Sequence, residues 1–262
     1  MRNDLFQRAL PQIFKDQDLG GLYGHIRGPD QPLRDNQRKS GTTVLFFHFV
    51  DGLMFAGDRK EVMGTYPIRS QDVVKIHQVG SFVAFAFAGL VSDGQFIQNK
   101  LEQANGGFKR AYGYPLSIKG QAQYICNYLF NYRHYFDPWG MSLDVLLGGR
   151  NLDDKYEAYE ISGDGCIEQL EYVATGSGWS GATYVLDESR NALKKHTLSL
   201  DDASLLAVKA IFKAGQIDAG TSPLQVALPT VATITKNGFQ LVEENKIIEI
   251  RDFLLSMEKR NG

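Results

Sequence analysis

The chain has 262 residues, of which 43% are hydrophobic and 22% charged, a composition typical of a globular protein with a buried core. Its formal net charge of −2 comes without a sustained basic run, which argues against a nucleic-acid partner. The two cysteines, Cys126 and Cys166, fit neither a disulfide framework nor a CxxC metal site, and no apolar run reaches the length of a membrane span. We therefore expect a cytoplasmic protein with no membrane partner.

The first 41 residues differ in composition from the rest. Basic residues and aspartates are spread among glycine and proline breakers, and the only helical pattern lies around Leu5 to Phe14. Charges interrupt the stretch where a signal peptide needs its apolar region. The pattern predicts an irregular leader over 1–41 and a folded domain over 42–262.

Strand patterns open the folded domain. The apolar run Val44 to Val50 is followed by the turn residues Asp51-Gly52 and by Leu53 to Ala56, which predicts an antiparallel hairpin. The aromatic-rich run Phe82 to Ala88 ends abruptly at Gly89 and predicts a central strand.

Two helices and three strands are predicted next. The first helix begins near the cap Ser92-Asp93 and the second near Ser117, and each carries one apolar face. The strands are Leu143 to Leu147, Tyr156 to Ile161 and Cys166 to Val173.

A second helix pair completes the pattern. It consists of a helix over 181–194 and one capped by Ser199, with Asp202 three residues later. A hairpin about Asn237-Gly238 and a helix through Ile247 follow. Antiparallel hairpins interleaved with paired helices favour an α+β fold in which two antiparallel sheets lie between helical layers, a four-layer α-β-β-α sandwich.

Three common site patterns fit the chain poorly. The histidines are dispersed and none forms a HExxH pair, so no metal site is predicted. The cluster Gly176 to Gly181 matches GxGxxG, but the strand before it follows a hairpin instead of opening a βαβ unit, which favours a tight turn over a dinucleotide site. No GxSxG nucleophile elbow is present. The five histidines are His25, His48, His77, His134 and His196.

Two threonines lie where the leader meets the first strand, in Ser40-Gly41-Thr42-Thr43. A threonine can act as a nucleophile without histidine if its own free α-amine, which titrates at about 7.7 to 8.0, serves as the base. Such a threonine must be the first residue of the mature chain. A leader that ends in glycine suits this requirement, because glycine clears space around the bond to be cut.

An ordered series of segments then points to a family. Together they resemble a proteasome β-type subunit, or a bacterial proteasome homologue, of the N-terminal nucleophile hydrolases. The resemblance extends from Gly41 to the last helix and implies that fold, a peptide or unfolded-protein substrate and no cofactor. The segments are Gly41 to Val44, Asp51 to Arg59, Gly64, Ser70 to Ile76, Ala86 to Gly89 and Gly176 to Gly178.

The resemblance implies that Thr42, and not Thr43, is the nucleophile, freed by self-cleavage of the bond between Gly41 and Thr42. Asp58 and Lys75 match the family's buried acid and lysine. A cationic Lys75 would lower the pKa of the Thr42 amine and ease deprotonation of the hydroxyl, while Asp58 would orient the lysine.

Four further residues match the family's catalytic network. Ser177 matches the serine that hydrogen-bonds the terminal amine, and Asp218 with Thr221 matches the element that completes this network. Gly89 matches the glycine whose N–H serves the oxyanion hole.

The chain also departs from the family pattern. Lys60 replaces the usual arginine, Val62 a common threonine, and Ser222-Pro223 a usual Gly-Gly, and one residue is inserted near Tyr66-Pro67. These changes concern the substrate cleft and the ring contacts. The predicted substrate-binding residues are Glu61, Val62, Val73, Phe87 and Val91. Since Phe87 would narrow the pocket and Glu61 would add negative charge, we expect a preference for small or basic side chains.

The resemblance implies a homo-oligomeric ring of seven subunits, alone or stacked, which could work with an α-type ring and an ATP-dependent unfoldase. Two other functions stay open at this point. One is a non-catalytic ring scaffold that keeps its leader, and the other is a small-molecule amidase with the same chemistry.

Overall fold

Two five-stranded antiparallel sheets form the centre of the structure. The structure is a computed structural model, and it describes residues 41–63, 66–70, 72–135, 141 and 143–261. The strands are β1 (Thr43–Phe49), β2 (Gly52–Gly57), β3 (Glu61–Met63), β4 (Tyr66–Ser70), β5 (Ile76–Gly80), β6 (Val83–Gly89), β7 (Leu143–Arg150), β8 (Tyr156–Ile161), β9 (Ile167–Gln169), β10 (Tyr172–Gly176), β11 (Thr230–Thr235) and β12 (Gly238–Leu241). The helices are α1 (Val91–Tyr112), α2 (Ile118–Tyr135), α3 (Trp179–Glu188), α4 (Arg190–Lys194), α5 (Leu200–Ile217) and α6 (Glu244–Asn261).

The first sheet has the strand order β10-β1-β2-β11-β12. β1 and β2 are buried along their whole length, as the continuous apolar runs of the sequence predicted. Their hairpin closes with Phe49 paired to Gly52, and the second predicted hairpin closes with Thr235 paired to Gly238. Both turns are therefore confirmed.

The second sheet has the order β5-β6-β7-β8-β9. Small residues of β6, Ala84 and Ala86, pack against Phe46 and Phe55 of the first sheet in the apolar layer between the two sheets. The opposite face of β1, which carries Leu45, packs in a second apolar cluster with residues of α3 and α5, while α1 and α2 contact the second sheet. This is the predicted four-layer α-β-β-α sandwich.

Helix capping follows the predicted residues in two places and not in a third. The Ser117 hydroxyl accepts a hydrogen bond from the Gly120 amide at 3.1 Å, and the Ser199 hydroxyl accepts one from Asp202 at 3.1 Å. By contrast, α1 begins at Val91, before the expected Ser92-Asp93 cap, and its N-cap residue has no side-chain cap hydrogen bond.

Two predicted elements are each divided in the structure. The expected strand over Cys166 to Val173 is two strands, since the chain leaves the second sheet after β9 and joins the first as β10. The expected helix over 181–194 is α3 and α4, separated at Ser189.

Some predictions fall on residues that are not described. The helix expected around Leu5 to Phe14 and the matched Gly64 lie outside the described residues. Tyr66-Pro67, the expected insertion, opens β4, which pairs with β3 in a small separate sheet. Among the described helices, none has both the length and the apolar character needed to cross a bilayer.

Candidate active site

Thr42 lies where the ends of β1 and β10 meet. It directly precedes β1 and is 4% exposed. Its amide donates to Ser177 Oγ at 3.2 Å, and its carbonyl accepts from the Ser177 amide at 2.8 Å. Its hydroxyl donates to the Gly41 carbonyl oxygen at 2.7 Å. The threonine oxygen therefore lies beside the carbonyl group of the peptide bond that precedes it.

Gly41 occupies a position that admits no larger residue. A Cβ atom added there would lie 2.3 Å from the Cα of Gly220 and 2.6 Å from its carbonyl oxygen. Gly220 is itself held, because its amide donates to Asp218 Oδ1 at 3.1 Å. Two glycine backbones thus approach each other at the bond before Thr42.

Asp58 is a fully buried carboxylate directly after β2, with a side chain 0% exposed. Its Oδ1 accepts from the Thr43 amide and from Lys75 Nζ, both at 2.8 Å. Its Oδ2 accepts from the amides of Lys60 at 2.9 Å and Ser222 at 3.2 Å. One cation and three backbone donors therefore compensate the cost of burying this carboxylate.

Lys75 precedes β5 and has a side chain 3% exposed. Besides Asp58, its ammonium group donates to the Lys60 carbonyl at 2.5 Å. Through Asp58 the lysine is connected to the backbone of Thr43, the residue next to Thr42. A buried cation is therefore fixed beside the start of β1.

A chain of hydroxyl groups connects the other side of Thr42 to Asp218. Ser177 Oγ and Thr221 Oγ1 both donate to Asp218 Oδ2, each at 2.6 Å. Because the Thr221 proton is used in this way, Thr43 Oγ1 must donate to Thr221 across their 2.6 Å contact. Ser177 likewise gives its proton to the carboxylate and keeps a lone pair for the nitrogen of Thr42.

Gly89, the expected oxyanion donor, ends β6 with φ of +132°, a conformation that favours glycine. A Cβ added to Gly176, the residue before Ser177, would lie 3.2 Å from Ala88 Cβ, so the end of β6 approaches the turn that holds Thr42. The structure thus brings the predicted nucleophile, acid, lysine and amine-binding residues into one hydrogen-bonded network, with Gly89 at its margin.

The structure describes the predicted substrate-binding residues less completely than the catalytic network. Val73 is half-buried, and its amide donates to the Arg59 carbonyl at 2.9 Å. Phe87 is buried beneath α1, where a Cβ on Gly94 would lie 2.4 Å from its ring. Val91 is the first residue of α1. Glu61 and Val62 belong to β3, but their side chains lie outside the described part of the structure.

The sequence did not single out His77, whose ring stacks on Phe87 at a centroid distance of 5.8 Å. Burial lowers the pKa of His77. Its buried Nε2 has no hydrogen-bond partner among the described residues. The only sequence feature that could have pointed to His77 was its position two residues after Lys75. The strand that carries it, β5, was not predicted.

Comparison with known proteins identifies the family of the chain. The family model described as "Proteasome subunit" matches residues 38–227. The chain belongs to the proteasome subunit family. The matched region contains the predicted nucleophile and the hydrogen-bonded partners described for it above. At the glycine cluster, β10 pairs antiparallel with β1, which is not the parallel βαβ arrangement of a dinucleotide-binding site.

Relatives in this family are proteasome β subunits. Proteasome subunit beta 2 of Sulfolobus acidocaldarius is 32% identical over 205 residues, which cover 78% of this chain and 94% of that protein. Proteasome subunit beta 1 of Thermococcus gammatolerans is 31% identical, with the same two coverages of 78% and 94%. Proteasome subunit beta 2 of Thermomonospora curvata is 26% identical and covers 98% of this chain. These similarities support a proteasome-type subunit.

Proposed function

We propose that this proteasome-type subunit is a self-processing threonine endopeptidase with Thr42 as its nucleophile. The observation that carries the proposal is the 2.7 Å contact between the Thr42 hydroxyl and the Gly41 carbonyl oxygen, inside a network that holds the threonine from both sides. A hydroxyl positioned against the carbonyl that precedes it is suited to attack that carbonyl.

Self-processing would proceed through an ester. Thr42 Oγ loses its proton and bonds to the Gly41 carbonyl carbon, the bond from that carbon to the Thr42 nitrogen breaks, and the nitrogen takes up a proton. Water then hydrolyses the ester, which leaves a carboxylate on Gly41 and a free amine on Thr42. The buried ammonium of Lys75 favours the negative charge that develops on the threonine oxygen.

In the mature enzyme the free amine of Thr42 would act as the base. It removes the hydroxyl proton, the oxygen attacks a substrate carbonyl, and the leaving amine receives the proton. The Gly89 N–H would stabilise the oxyanion. Water then releases the acyl group. Ser177, with its proton held by Asp218, would orient the amine by accepting a hydrogen bond from it.

For the substrate and the assembly, we propose unfolded proteins or peptides cleaved inside a cytoplasmic homo-oligomeric ring of the heptameric kind, with an α-type ring and an ATP-dependent unfoldase as possible partners. The preference for small or basic residues before the cut bond rests on Phe87, which is buried beneath α1, and on the charge of Glu61. A panel of short peptides tests it, and best cleavage after bulky aromatic residues would contradict it.

Intact-mass measurement of the purified protein tests the nucleophile. The wild-type chain should shorten to a species that begins at Thr42, and Thr42→Ser should do the same because it keeps the hydroxyl. Thr42→Ala should retain residues 1–41 and hydrolyse no peptide. Normal maturation of Thr42→Ala would overturn the proposal, and a wild-type chain that keeps its leader within an assembled ring would indicate the scaffold function instead.

The size of the assembly distinguishes the proposed endopeptidase from the small-molecule amidase. An enclosed protease requires a ring, so analytical ultracentrifugation should show an assembly much larger than a dimer. An active monomer that cleaves only small amides would contradict the endopeptidase function.

A further inference from the structure

Three side chains with metal-binding atoms meet near the end of β1 that is remote from Thr42. His48 is the next-to-last residue of β1, Glu171 directly precedes β10, and His196 follows α4. One ligand atom from each residue lies within 4.8 Å of the other two. The sequence could not predict this cluster, because its two histidines are far apart in the chain.

The backbone fixes the segments that carry these residues. The His48 amide donates to the Glu171 carbonyl at 3.0 Å, and the Val50 amide donates to the Leu198 carbonyl at 3.1 Å. The end of β1 is therefore hydrogen-bonded both to the start of β10 and to the segment that contains His196. The three side chains converge because the main chain brings them together.

His196 has an unusual backbone conformation, with φ of +51°. Positive φ is uncommon for residues other than glycine and clusters at sites where surrounding structure holds it. Here the His196 amide donates to the Leu193 carbonyl at 3.1 Å as α4 ends. This conformation places the ring of His196 over that of His48, with centroids 4.6 Å apart.

The cluster offers the kinds of ligand atom that a borderline-soft metal ion binds. His196 Nε2 and Glu171 Oε2 are 2.5 Å apart, and His48 is 8% exposed. Two imidazole nitrogens and one carboxylate oxygen are a ligand set that zinc accepts, with water at the fourth position.

We propose that His48, Glu171 and His196 form a zinc-binding site. Ligand atoms on one tetrahedral zinc lie roughly 3.3 Å apart when the bonds are about 2.0 to 2.1 Å long. The side chains of His196 and Glu171 are 40% and 53% exposed, so both can rotate to bring the three ligand atoms to the distances that zinc requires. The site lies roughly 20 Å along β1 from Thr42. It would therefore stabilise the fold by joining three segments, and it would take no part in peptide hydrolysis.

The binding test uses tag-free, chelator-treated protein titrated with Zn²⁺ by calorimetry. One zinc per chain is expected. His196→Asn keeps a residue that tolerates positive φ, and Glu171→Gln keeps the side-chain shape, so both variants should fold. Each should weaken zinc binding at least ten-fold. The matched control is His134→Asn, which changes an exposed histidine on α2 and should leave the affinity unchanged.

Thermal melting gives an independent readout. Zinc should raise the melting temperature of the wild-type protein and of His134→Asn, because it binds the folded state, and it should raise that of the two ligand variants much less. The proposal is overturned if the wild-type protein binds no Zn²⁺ at millimolar concentration, or if His196→Asn and Glu171→Gln bind it as tightly as the wild type.

Discussion

Substitution of Gly41 by alanine should slow maturation without disturbing the mature enzyme. The added Cβ would lie 2.3 Å from Gly220 Cα, whereas ordinary contacts begin at 3.4 Å, so one backbone must move by at least 3.4 − 2.3 = 1.1 Å. Gly220 is hydrogen-bonded to Asp218 and cannot move without disturbing the network around Thr42. Most of the displacement should fall on Gly41 itself.

In the proposed self-processing reaction, Gly41 carries the carbonyl group that the Thr42 hydroxyl attacks. A misplacement of about 1 Å in a reacting group costs on the order of 100-fold in rate. This corresponds to about 2.7 kcal/mol in the activation free energy. We therefore expect Gly41→Ala to slow self-processing by about two orders of magnitude.

The assay is intact-mass spectrometry during a time course of maturation, with the loss of residues 1–41 as the signal. Gly107→Ala is the matched control: Gly107 lies in α1, and a Cβ there meets nothing within 4 Å. A chain expressed directly from Thr42 should hydrolyse peptides normally, because residue 41 is then absent. Processing of Gly41→Ala at the wild-type rate would refute the argument.

Three further substitutions test the network and the fold. Lys75→Ala should lower processing and peptide hydrolysis by on the order of 100-fold or more and should also lower the melting temperature, because it leaves the Asp58 carboxylate buried without its cation. Exposed Lys209→Ala is the control, and substantial residual activity of Lys75→Ala would contradict the role of Lys75. Ser177→Ala should lower kcat for peptide hydrolysis by roughly ten-fold, since it removes the acceptor for the Thr42 nitrogen, and an unchanged kcat would contradict that role. Asp144→Asn should raise the melting temperature at pH 7. Burial raises the pKa of Asp144, so the folded state favours the protonated form, and the stability associated with it is lost as pH rises through the folded-state pKa. The advantage of Asn over Asp should shrink as pH falls, and a melting temperature of Asp144→Asn below wild type at pH 7 would contradict this argument.

Local chemistry explains which elements the sequence predicted. The hairpins at Asp51-Gly52 and Asn237-Gly238 carry their turn signal in two adjacent residues, and the Ser199 cap carries its signal within four. The missed elements depend on distant partners. The sequence predicted one strand where the structure has β9 and β10, because no residue between Gln169 and Tyr172 shows that the chain changes sheets there.

The functional sites also depend on residues that are distant in the sequence, so local patterns alone do not show them. The family resemblance, applied residue by residue, named Thr42, Asp58 and Lys75, and the structure joins them through Thr43 in one hydrogen-bonded network. Their catalytic roles stay predictions. Composition and spacing alone could not have named these residues, because they come from different parts of the chain. The approach of Gly220 to Gly41 depends equally on three-dimensional packing and carries no local pattern.

The N-terminal residue of the mature wild-type protein tests the central claim most directly. Intact-mass spectrometry of the assembled protein, combined with N-terminal sequencing, identifies that residue without any assumption about the substrate. The account predicts a single species that begins at Thr42, and the same species from Thr42→Ser. A mature, active chain that begins at any other residue, or a Thr42→Ala variant that matures to the same N-terminus, would contradict it.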